Sequence, residues 1–101
     1  MKFRDFLLLE EDTRTFDQMI TDNANEVKIS VKSVEETDQS IDICYNFGAG
    51  APEGYISDKN EIANKLKVIA LDVFIDFDID TTHSMRGNTG PTTGLITYFK
   101  E

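Results

Sequence analysis

The stretch Asp76-Phe77-Asp78-Ile79-Asp80-Thr81-Thr82-His83 holds the densest run of titratable side chains around the sequence's one histidine. Read as a strand, it sets Asp76, Asp78 and Asp80 on one face about 6.6 to 7 Å apart. Three carboxylates in that arrangement repel one another unless water or a cation screens them. Mg²⁺ takes one or two carboxylates plus substrate oxygens and Ca²⁺ about six to eight oxygens, so Asp76, Asp78, Asp80 and His83 can seed a divalent-metal enzyme. The calcium-loop pattern is not met, because Thr81 stands where its glycine belongs and Gly87 where its closing glutamate belongs. The simpler reading is plain negative charge on the wet face of a half-buried strand, which also discourages edge pairing. With Asp72, that row would suit a basic partner surface.

Other chemistry is thinly represented. His83 leaves at most one imidazole base, and no serine sits in a nucleophile elbow. Cys44 is the only cysteine, so it makes no internal disulfide and no cysteine-based zinc site. The loop from Gly48 to Gly54 lacks the GK[ST] of a phosphate cradle and adds Glu53 where a phosphate would sit. No cofactor motif is present, and the expectation is a non-catalytic protein. Arg86 is a lone cation in a long Thr/Gly-rich segment, and Tyr55 is an aromatic between a glycine loop and a helix cap. Both are candidate partner contacts beside Asp72, Asp76, Asp78 and Asp80.

Composition bounds the partner. The chain has 101 residues, 40% hydrophobic and 29% charged, which suits one folded domain. Its net charge is −9, with 5 Lys/Arg against 11 Asp/Glu in residues 1–50 and 5 against 8 in residues 51–101. Clustered cations, which duplex binding and anionic membrane surfaces demand, are missing. The expectation is therefore a protein partner with a basic surface, no direct nucleic acid and no membrane, with homo-oligomerisation left open. No apolar run approaches the roughly 20 residues of a membrane span, and the opening lacks a secretory layout, so a cytoplasmic location is expected.

The elements that must position these residues follow from periodicity. Phe3, Phe6 and Leu7 lie on one helical face, giving a short helix in residues 1–12 that can detach from the rest. Thr15 and Gln18 match a capping box for a second helix burying Phe16, Met19 and Ile20 and failing by residues 22–25. Val27, Ile29 and Val31 alternate with polar residues as a first strand, and Ile41, Ile43, Tyr45 and Phe47 as its hairpin partner. Ser57 or Asp58 caps a helix with Ile62, Leu66, Ile69, Ala70 and Val73 on its apolar face. A third strand is expected through Ile75, Phe77 and Ile79, starting with little or no loop or after a helix that persists to about Phe74, then an irregular segment over residues 81–94, then a fourth strand over residues 95–99. The predicted fold is α+β, in the order ααββαββ, with helices on one face of a mainly antiparallel four-stranded sheet.

The opening Met1-Lys2-Phe3-Arg4-Asp5-Phe6-Leu7-Leu8-Leu9-Glu10 resembles the start of internal head and prohead-core proteins of large contractile-tailed bacteriophages. That resemblance covers about a tenth of the chain. It implies a short amphipathic helix recognised during capsid assembly, and cleavage after a Leu-x-Glu pattern, which Leu8-Leu9-Glu10 would match. Two roles are then expected to compete: a virion or assembly component, and an inhibitor whose aligned carboxylates mimic phosphate against a basic host protein.

Overall fold

A computed structural model describes residues 14–101, so the expected helix in residues 1–12 lies outside the described residues. The elements are α1 (Phe16–Glu26), β1 (Val31–Glu36), β2 (Ser40–Asn46), a single 3-10 turn at Gly48–Gly50, α2 (Lys59–Asp76), β3 (Thr81–Gly90) and β4 (Thr93–Lys100). The four strands form one antiparallel sheet in the order β1-β2-β4-β3. Both helices cover one face, as an α+β fold requires. Among the described residues no helix is long and apolar enough to cross a membrane.

The core is built from period-two and period-3.6 faces that meet. Ile41, Ile43 and Tyr45 of β2 and Ile96 and Tyr98 of β4 are buried against Met19, Ile20 and Ala24 of α1 and Ile62, Leu66, Ala70, Val73 and Phe74 of α2. The start of α1 lies at the end of α2, because the Phe16 ring meets Phe74 at 6.4 Å and Phe77 at 6.3 Å in edge-to-face geometry. Of the two cap candidates Asp58 begins α2, its carboxylate accepting from the amides of Asn60 at 2.9 Å and Glu61 at 3.2 Å. Thr15 precedes α1, but the expected capping box does not form. Its hydroxyl donates to the Asp17 carboxylate, and Gln18 reaches forward to Asp22 at 2.8 Å.

Both helices run further than periodicity suggested, and both end the same way. α1 continues through Asp22 and Asn25 to Glu26, so Val27 and Lys28 close a helix instead of starting a strand. α2 continues to Asp76, which removes the expected strand through Ile75, Phe77 and Ile79. At each end the chain turns through a left-handed residue, Lys28 at φ 64° and Asp78 at φ 55°. The amides of Ile29 and Ile79 reach back to the carbonyls of Ala24 (2.9 Å) and Phe74 (2.8 Å), and those of Lys28 and Asp78 to Asn25 and Ile75. This is the Schellman closure, which ordinarily uses glycine at the left-handed position. Asp78→Gly is therefore expected to raise stability by about 1 kcal/mol, read as a higher denaturant midpoint at unchanged slope.

The segment expected to be irregular over residues 81–94 is mostly β3, joined to β4 through Pro91 and Thr92. It carries little apolar signal because it is an edge strand: from Thr82 to Thr89 only Ser84 is not exposed. Register irregularities fall between Thr81 and His83 and between Asn88 and Gly90, near its two ends.

Candidate functional site

The carboxylates singled out from the sequence gather at one end of the molecule, but not as a row on a strand. Asp72 and Asp76 project from α2 one turn apart, Asp78 occupies the left-handed turn, and Asp80 precedes β3. All four are exposed. The helix keeps Val68, Asp72 and Ile75 on its outward side at i, i+4 and i+7, with Val68 60% and Ile75 72% exposed. Sequence reasoning missed this apolar pair, because the strand assignment put Ile75 in the core. A helical spacing count from Leu66 to Val73 would have placed it outside.

The residues of the metal alternative are not brought together. His83 lies on β3 opposite Phe99 and stacks on that ring at 4.5 Å, with its Nδ1 beside the Thr82 hydroxyl at 2.9 Å. The carboxylates sit on a helix end and a turn instead of on His83's strand. Among the described residues no group of three or more His, Cys, Asp or Glu is arranged to hold a metal ion.

Tyr55 and Arg86 stand apart from the acidic end. Tyr55 is half-buried; its hydroxyl donates to the Asn25 side chain and Lys28 lies 5.7 Å from its ring, so it ties the glycine loop to the end of α1. Arg86 belongs to β3, not to a loop, and donates to Asn64 Oδ1 at 2.8 Å. Asn64 and Asp76 are separated by about 18 Å of helix, at 1.5 Å per residue. The six candidate contacts therefore divide between an acidic end holding four of them and two positions elsewhere.

Around Arg86 lies a second polar group that sequence reasoning did not anticipate. Lys59 donates to the Asn88 side chain and reaches over the Phe47 ring at 5.4 Å. Below it the Tyr45 ring crosses β4 at Gly94, and its hydroxyl is buried with no hydrogen-bond partner. Burial pushes the Tyr45 and Tyr98 phenols above the usual tyrosine range, while the positive charge of Arg86 pulls both the other way. Cys44 is half-buried on the helix-free face of β2. In comparisons with protein-family models, with curated proteins and with solved structures, nothing matches this chain.

Proposed function

We propose that this protein is a small acidic binding module without catalysis of its own, which docks onto a cationic surface of another protein through the C-terminal end of α2 and the turn behind it. One observation supports this reading above others: the placement of charge against the helix. Asp72, Asp76, Asp78 and Asp80 cluster at the end of α2, and its last turn holds no basic residue. A helix C-terminus is its negative pole, where each added anion costs about 0.3 to 1 kcal/mol at low salt. Asp72 and Asp76 are in addition like charges one turn apart. All four carboxylates are exposed, so a partner's positive charge can reach them. Val68 and Ile75 supply apolar contact area among the carboxylates.

The phage-like opening residues support a phage-encoded protein acting in the host cytoplasm or the virion. Its role is then assembly, or inhibition of a host protein by carboxylates standing in for phosphate. The test is affinity capture from host lysate with the wild type and with a variant carrying Asp72→Asn, Asp76→Asn, Asp78→Asn and Asp80→Asn. The wild type is expected to retain basic proteins at low salt and release them at high salt, and the variant to retain none. Circular dichroism of the variant should match the wild type, which separates loss of charge from loss of structure. Recovery of no basic protein by the wild type, or of the same proteins by both, rules the reading out.

A further inference from the structure

We propose that β3 is a self-association edge, through which two copies of this chain pair antiparallel across a two-fold axis and join their sheets. Among the described residues β3 is outermost in the sheet and, at ten residues, its longest strand. An edge strand offers a row of backbone N–H and C=O groups to a further strand unless something guards it. The opposite edge is guarded: β1 carries Lys32, Glu35 and Glu36 and a register irregularity between Val31 and Ser33. β3 keeps its irregularities near its ends, and between them the ladder from His83 to Asn88 is regular.

Charge selects a second copy as the occupant. The chain holds 19 carboxylates, yet none falls between Asp80 and Glu101, where Arg86 and Lys100 stand instead. The β3–β4 hairpin is thus where two copies of a chain of net charge −9 can meet without setting carboxylate against carboxylate. Met85 is 59% exposed and lines, with Arg86, Gly87, Leu95, Thr97 and Phe99, a largely apolar groove that a joined sheet would extend.

A two-fold axis perpendicular to the sheet keeps each face continuous, so paired residues must point the same way. Centring the axis on the regular ladder sets Met85 of one copy against Met85 of the other, Ser84 against Arg86, and His83 against Gly87. The two Arg86 side chains are thereby kept from facing one another directly. At Gly87 nothing lies within 4 Å of a Cβ position, which leaves room for the imidazole of the other copy.

Sedimentation equilibrium of the full chain, from micromolar to submillimolar concentration and at low and high salt, tests this. The expected result is a monomer–dimer equilibrium that tightens with salt, because screening weakens repulsion between the acidic remainders. Docking through the acidic helix end weakens with salt, so the two readings fail separately. Met85→Glu should weaken the dimer at least about tenfold with circular dichroism unchanged, whereas Lys32→Glu on the other edge should leave it intact. Wild-type β3 amides should exchange more slowly at high protein concentration, a readout that needs no variant. A chain that stays monomeric throughout overturns the proposal and leaves the edge to a strand from another protein. A dimer unaffected by Met85→Glu overturns it as well.

Discussion

Gly94→Ala is expected to destabilise the protein by about 3 kcal/mol, the upper end of what overpacking a well-filled core costs. Gly94 is buried on β4 directly opposite Tyr45, and the tyrosine ring lies flat across it. A Cβ built there would collide with the ring's Cζ and stand 2.6 Å from its Cε2 and 2.5 Å from its oxygen. The ring has no easy retreat: it is itself fully buried and meets Phe47 at 6.2 Å. In a domain of this size the loss amounts to a fall in Tm of roughly 12 to 24 °C. Thermal unfolding of Gly94→Ala, Tyr45→Leu and the double variant separates the cause. If the clash dominates, the double variant loses clearly less than the sum of the two singles. A Gly94→Ala protein within 1 kcal/mol of wild type would mean that the ring can move. Tyr45→Phe supplies the opposite sign, because it removes a buried hydroxyl that has no partner. It should be neutral or stabilising by about 1 kcal/mol.

Where the sequence speaks through period and caps, the fold was legible. The alternation of Ile41, Ile43 and Tyr45 marked β2 correctly, and of the two cap candidates Ser57 and Asp58 the second starts α2. The misreadings share a physical origin. Lys28 and Asp78 end helices in a left-handed conformation that glycine usually signals, so neither terminus announced itself. Asp76, Phe77, Asp78, Ile79 and Asp80 happen to alternate, and a helix end followed by a turn imitated a strand. β3 was illegible for the converse reason: an edge strand exposed on most of its length has no buried face to impose a period of two. The placement of the acidic residues changed with the elements. Their carboxylates do share one end of the molecule, but a helix terminus gathers them, and the apolar pair Val68 and Ile75 came into view only once that helix was extended.

Adjacent residues at this helix end give the sharpest discrimination between the two readings. Phe74→Ala is expected to cost about 4 kcal/mol, while Ile75→Ser one residue later should change stability by no more than about 0.5 kcal/mol. Phe74 is 1% exposed; its ring stands edge-on to Tyr98 at 5.0 Å and to Phe16 at 6.4 Å, and its carbonyl accepts the amide that closes the helix. Truncating it empties the junction of α1, α2 and β4 at once. Ile75 is 72% exposed and loses little on leaving water-exposed surface. A strand through Ile75, Phe77 and Ile79 demands the reverse order, with Ile75 in the core and Phe74 outside it. Urea unfolding of the two variants therefore reports directly on which residue the helix turns inward. The same pair bears on docking: Ile75→Ser should leave the fold intact while weakening capture of a basic partner, because it removes apolar contact from among carboxylates that remain in place. Equal destabilisation by both substitutions would place Ile75 against the core and take away the apolar half of the proposed docking surface.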